Sequence, residues 1–331
     1  MGDSQELKTD KPVQSLSIEF QWHEGIWKEL FDKHVHFIQQ DILRALAGNK
    51  LVVYLSCPIS SRAGSYFATN VEIANFTAQR LTSEWGPRFW FLNPAQYQME
   101  SAQGLGLIRM HAYELGLEKK IEINIDQLMK TEPTVGGDYM RMWTRVLAED
   151  DGKNLGGRFS AFYFLSPCDV KAFLAQTGAK NVTAGVESYF ADKSAADSQF
   201  RDYFSTPVSA SPDDAKKLAQ QSEDRRQEFF RYYAVRASAH FSKGSHDEWN
   251  IWRELNALRI VGNETDGYGM GSQIAGYFEG IQIAPGAAEA AISPGYAVPP
   301  KDLVKPVAPL SPTLVTRTAA MTDAVRRLAK H

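Results

Sequence analysis

The chain has 331 residues, 44% of them hydrophobic and 23% charged, a globular composition that excludes a wholly disordered polypeptide. At roughly 100–200 residues per domain, it holds one large domain or two modest ones. Its 36 basic and 39 acidic residues leave a formal charge of −3. There is then no broad positive field to hold a phosphate backbone, and no nucleic acid partner is expected.

Cys57 and Cys168 are the only cysteines; they cannot build a disulfide framework and lack the spacing of a structural zinc site. Met1–Val13 mixes acidic and basic residues without the apolar core of a secretory signal. The longest apolar runs, such as Leu51–Leu55 and Ala161–Leu165, fall far short of the roughly 20 residues that span a bilayer. No membrane partner is expected, and a reduced, cytoplasmic setting is the simplest expectation.

Residues 1–17 read as a polar tail. From Ile18 to Leu46, Trp22, Trp27, Leu30, Phe31, Val35 and Ile38 return mostly at three- and four-residue spacing, which predicts one or two amphipathic helices stopped at Gly48. Leu51–Ser56 is a continuous apolar run suited to a strand buried on both faces. It leads through the small-residue loop 57–64 into a helix over Tyr66–Trp85, and Phe89–Leu92 is a second buried strand closed by Asn93-Pro94. Strand, loop, helix and strand make a right-handed βαβ unit.

Residues 98–135 read as irregular and partly helical. A helix is expected over Tyr139–Leu147, a third strand over Phe159–Leu165 and a short helix near Val170–Leu174. Ser211-Pro212-Asp213-Asp214 starts a long charged helix over Ala215–Phe241, and another is expected over Trp249–Arg259. Residues 262–311, rich in Gly, Ala and Pro, read as an extended arm, and 312–331 as a terminal helix.

In an open parallel sheet, ligands collect at the carboxyl ends of the strands. The loop there offers Ser56, Ser60, Ser61, Arg62 and Gly64 before a helix, which suits a small anion. Ser242-Lys243-Gly244-Ser245-His246-Asp247-Glu248 carries the other signal. Ser245 and Glu248 fit a capping box. Alternatively, Glu248 is a carboxylate kept ionised by a helix N-terminus, as a nucleophile requires. His34 and His36 lie two residues apart and do not share a helix face. Trp249 and Trp252 fit a core stripe, and no metal or organic cofactor is called for.

Three pieces resemble the nucleoside 2-deoxyribosyltransferase superfamily, which includes nucleotide N-glycoside hydrolases. Val53-Tyr54-Leu55-Ser56-Cys57-Pro58-Ile59 is similar to its first strand and following loop, with Cys57 where a glycine is usual. Phe91-Leu92-Asn93-Pro94 resembles its second strand and turn, and Ser242-x-Gly244-Ser245-x-x-Glu248 its Ser-x-Gly-x-x-x-Glu signature. Asp138-Tyr139-Met140-Arg141 resembles a further tract. The fold expected is α/β, a Rossmann-like (flavodoxin-like) parallel sheet flanked by helices. It would occupy 18–262, with a helical insertion at about 175–241, and 263–331 would be a Gly/Ala/Pro-rich arm and terminal helix.

The resemblance implies cleavage or transfer of the N-glycosidic bond of a nucleoside or nucleotide, with Glu248 attacking the sugar and a glycosyl-enzyme ester as intermediate. It places Tyr54 beside the base or sugar. Ser242 and Gly244 would line the sugar or a 5′-phosphate, with Ser56, Ser60 and Arg62 helping to hold that phosphate. Pro58, Asn93 and Ser245 fall within the matching motifs. The acid that protonates the leaving base is Asp138, Asp169 or Asp247, and position alone does not choose. A homodimer is implied by resemblance only. Hydrolysis of a dinucleotide's nicotinamide bond would use the same chemistry, and a catalytically silent nucleotide-binding or interaction module is the reading from another class.

Overall fold

A computed structural model describes residues 8–9, 16–60, 63–148, 155–208, 211–265, 273–283 and 291–298. The expected terminal helix over 312–331 and Arg62 lie outside these residues. Lys8–Thr9 (β1) pairs antiparallel with Glu19–Trp22 (β2). Part of the expected tail is therefore structured, and Leu16 is buried. The helix expected from Ile18 begins only at Ile26 (α1, Ile26–Ala47). Gly25, at φ 69°, breaks the chain between strand and helix. Along α1 the buried side chains Trp27, Leu30, Phe31, His34, Val35, Ile38 and Ile42 form one helical stripe.

The expected βαβ unit is present as Leu51–Ser56 (β3), Phe67–Trp85 (α2) and Phe89–Leu92 (β4). Residues 98–135 are more helical than expected, holding Ala102–Lys119 (α3) and Ile125–Thr131 (α4). They are followed by Gly136–Ala148 (α5), the third core strand Ala161–Phe164 (β5) and Pro167–Ala175 (α6). The segment expected as an insertion is helical, with Val182–Ala196 (α7), Ser198–Phe204 (α8) and Pro212–Arg231 (α9). The long helix does not run on to Phe241. It passes through a π-turn at Tyr232–Arg236 and a short turn at Ala239–Phe241.

Lys243–Thr265 (α10) begins six residues before its expected start. The largest correction follows it. The expected arm holds two strands of the central sheet, Ala275–Phe278 (β6) and Ile281–Gln282 (β7), while Ala297–Val298 (β8) pairs with β2. The sheet order is β4-β3-β5-β6-β7, the first four strands parallel and β7 antiparallel at the edge. The protein is therefore α/β with a mixed five-stranded sheet. β6 was illegible because Ala275-Gly276-Tyr277-Phe278 carries little of the β-branched signal that marks a strand; β5 supplies its pairing.

Alternation along the strands divides the core. Val52, Tyr54, Phe162 and Phe164 face α1, α3, α5 and α10. Val53, Leu55, Phe91 and Tyr163 face α2, α6 and the α7–α9 helices, whose own packing is aromatic, with Phe200 against Tyr66, Phe190, Phe204 and Phe229. His34 is a core histidine, its Nδ1 3.1 Å from Nε2 of His111 and its Nε2 2.8 Å from the Tyr97 carbonyl oxygen. Burial pulls its pKa down to about 4. Trp252 and Trp249 pack on Phe164, in keeping with a core stripe.

Helix α10 crosses β6 at Gly276, where a Cβ would lie 2.4 Å from Cζ2 of the buried Trp252. Gly276→Ala should therefore lower unfolding free energy by about 1–3 kcal/mol through overpacking. Urea denaturation checks this, and an unchanged midpoint would contradict the close packing of β6 beneath α10.

Candidate active site

Strand order reverses on either side of β3, since β4 lies on one flank and β5 on the other. The end of β3 is therefore where an open parallel sheet forms a crevice. Tyr54 and Ser56 are two residues apart on β3 and project from the same face. That face is covered by α10, on which Glu248, Ile251, Trp252 and Leu255 fall at helical spacing and are all buried. Glu248 thus occupies a core position on an amphipathic helix.

The Tyr54 hydroxyl donates to Glu248 Oε1 at 2.6 Å, and Ser56 Oγ donates to Oε2 at 2.5 Å. The Tyr54 ring is fixed among Trp143, Phe159 and Phe162. Glu248 is 4% exposed, and burial pushes its pKa up to about 7, against the hydroxyl donors that favour the anion. The expectation that a helix N-terminus keeps it ionised is corrected. α10 begins at Lys243, so Glu248 lies beyond the first turn, where desolvation outweighs the helix dipole. In place of the expected Ser245–Glu248 capping box, the Glu248 oxygens are taken by the β3 hydroxyls and the helix start is capped from Ser242. Ser242 Oγ accepts from Ser245 N at 3.3 Å, and Ser245 lies inside the first turn.

A cavity of about 160 Å³ opens beside this carboxylate. Its wall includes Glu248, Ser242 and Gly244 from the α10 motif and Cys57, Ile59 and Ser60 from the exit of β3. The glutamate motif and the exit of the first strand, with Ser56 and Glu248 192 residues apart in the chain, therefore meet. Cys57 stays a thiol, because burial first, and then nearby Glu248, pushes its pKa well up. A larger, open groove of about 800 Å³ runs along α3 and α4, and none of the residues singled out by sequence lines it.

Other expected site residues serve elsewhere. Tyr54 and Ser56 lie behind Glu248, so they position the carboxylate and do not line the cavity. Pro58 and Ser245 also do not line it. Asn93 closes its own turn, accepting from Ala95 N at 3.0 Å and donating to Asn75 at 2.8 Å.

None of the three aspartates lines the cavity. Asp138 accepts from His23 N at 2.7 Å and Val135 N at 2.8 Å, and its Oδ2 lies 2.9 Å from His23 Nδ1. Asp169 is on the opposite face of the sheet, bonded to Arg80, Tyr163 and Ser166. Asp247 accepts from Gly295 N and Tyr296 N, at 2.8 and 2.6 Å, and so clamps the 291–298 segment onto α10. That clamp brings Tyr296 to the cavity wall.

Sequence reasoning missed Gln98, Glu100, Tyr139 and Tyr296, all of which line the cavity. Tyr139 adjoins the flagged Asp138, and about 100° of helical rotation sends the two side chains in different directions. Glu100 follows the Asn93-Pro94 turn, which leaves the sheet at the crevice end. Among the described residues, no group of three or more His, Cys, Asp or Glu side chains is placed to share a metal ion, and no helix is long and apolar enough to cross a membrane.

The raised Glu248 pKa makes stability depend on pH. Between its usual 4.5 and about 7, the unfolded chain releases this proton while the folded chain keeps it, so stability falls as pH rises. Above that window the ionised side chain costs about 3 kcal/mol. Glu248→Gln should therefore be more stable than wild type at pH 8, and the difference should close toward pH 4. Urea midpoints across that range test it; parallel curves would contradict the assigned burial. No family model, curated protein or solved structure matches the chain.

Proposed function

We propose that the protein cleaves or transfers the N-glycosidic bond of a nucleoside or nucleotide, with hydrolysis of a nucleotide the favoured form. The observation that carries this reading is the Glu248 carboxylate, held by the Tyr54 and Ser56 hydroxyls at the wall of a cavity beyond the end of the central strand. The parallel strands run second, first, third, fourth across the sheet, which supports a Rossmann-like, flavodoxin-like arrangement with its ligand at that reversal.

Two hydroxyl donors fix both carboxylate oxygens in direction, so that Glu248 need not reorganise when it attacks the anomeric carbon. In its ionised form it adds to that carbon as the bond to the base breaks, giving a glycosyl ester that water or a second base resolves. A pKa near 7 leaves an appreciable ionised fraction at neutral pH, and the Tyr54 and Ser56 hydroxyls stabilise the carboxylate released when the ester is resolved. The cavity matches the roughly 150 Å³ that encloses one six-membered ring, enough for one ring-sized part of the substrate. The burial of Glu248 is the one observation that favours a silent nucleotide-binding module instead.

Incubating the pure protein with a mixed pool of nucleosides, mononucleotides and dinucleotides, followed by chromatography, separates these readings. Wild type should release free base, and Glu248→Gln should reduce release to background while remaining folded. Absence of base from every substrate would leave the silent module. A Cβ at Gly244 meets only Met140 Sδ at 3.6 Å and Ser242 Oγ at 4.0 Å. Gly244→Ala should thus keep or gain up to about 1 kcal/mol of stability, as expected inside a helix, while its methyl at the cavity wall raises KM several-fold. Unchanged KM would separate Gly244 from the substrate.

A further inference from the structure

Expulsion of a base needs a proton donor, and the three expected aspartates are engaged elsewhere. We propose that Glu100 is the general acid that protonates the departing base, and the base that afterwards activates water; this rests on the glycosidic reading above. Glu100 sits in the turn beyond β4 and lines the cavity that Glu248 lines. The turn is firmly built. Ser101 N and Oγ each donate to the Gln98 carbonyl at 3.0 Å, and Ser101 Oγ accepts from Gly104 N at 3.0 Å. A Cβ at Gly104 would fall 2.1 Å from that same carbonyl oxygen. The backbone that carries Glu100 is thereby fixed against the first turn of α3.

Glu100 Oε2 is buried and has no hydrogen-bond partner. A glutamate serving only to cap the adjacent helix would aim this oxygen at the free amides of the first turn. With no donor on Oε2, and with burial pushing its pKa up against the opposing bond from its own backbone amide, the carboxyl is biased toward its protonated form. Glu248 differs, because hydroxyls donate to both of its oxygens and support its anion. One carboxyl with a buried, unpartnered oxygen and one with donors on both oxygens, sharing a single cavity, is the division of environment that separates acid from nucleophile.

The step balances as follows. Glu248 oxygen forms a bond to the anomeric carbon while the carbon–nitrogen bond breaks, its electron pair leaving with the base, and the Glu100 proton passes to that nitrogen. Water then adds to the same carbon and gives its proton to Glu100. The ester bond breaks as the water oxygen bonds, returning its electron pair to Glu248, and the water's proton makes Glu100 ready for the next turn. The net reaction consumes one water and releases free base and sugar.

The test uses the full chain, its best natural nucleotide or nucleoside, and the 4-nitrophenyl glycoside of the same sugar, whose leaving group needs no proton. Glu100→Gln should slow natural base release by about 10²–10⁴-fold, yet release nitrophenolate in a first-turnover burst close to that of wild type. Azide, a small anionic nucleophile, should restore its turnover. Glu248→Gln should lose both reactions. Natural base release within a few-fold of wild type in Glu100→Gln, or equal loss on both substrates with an unchanged circular dichroism spectrum, overturns the proposal. If Glu100→Gln does not fold, Glu100→Asp, which keeps an acid but withdraws it, must show the same selective loss on the natural substrate. Failure of wild type itself to release any base removes the parent reading, and is distinguishable because no variant enters that measurement.

Discussion

The structure turns on one unfavourable placement, a carboxylate set into a core stripe. Ile251, Trp252 and Leu255 draw α10 onto the sheet by burying apolar surface, and Glu248 is carried in with them. Burying a carboxyl without partners costs several kcal/mol, and proteins meet that cost by pairing or by retaining the proton. Here both occur. Tyr54 and Ser56 supply donors from the sheet, and burial pushes the pKa up to about 7. Such a group destabilises the fold more as an anion than as an acid.

The surroundings share the task of holding that placement. The central position of β3 gives Tyr54 and Ser56 strands on both sides, and the aromatic ring set around Tyr54 leaves its hydroxyl one direction. Asp247, next to Glu248 in sequence, faces another way and accepts from the backbone of the 291–298 segment. Neighbouring acids on one helix thus serve opposite ends: one fastens a distant piece of chain, the other lines the cavity. The same contrast appears between Asp138, consumed by His23 and the start of α5, and Tyr139, which reaches the cavity wall.

Legibility followed how local the signal was. The β3–α2–β4 unit and β5 were readable because doubly buried strands are short, continuous apolar runs, and because Gly86-Pro87 and Asn93-Pro94 mark their boundaries. The α10 motif and the first-strand loop could be singled out by their residue types, and the fold brings both to one cavity. β6 was not, because its small and aromatic residues become a strand only beside β5 and under α10. Nor was Glu100, whose significance depends on a turn folded against α3.

The burial of Glu248 was within reach of the sequence, since Ile251, Trp252 and Leu255 stand three, four and seven residues beyond it. The sequence by itself determined the α/β class, the place of the first strands and the identity of the central carboxylate, because periodicity and residue type are local properties. Tertiary structure alone decided which hydroxyls meet that carboxylate, which acids are spent on backbone amides and which second carboxyl shares its cavity. Those outcomes depend on distances between segments far apart in the chain, and no local pattern encodes them.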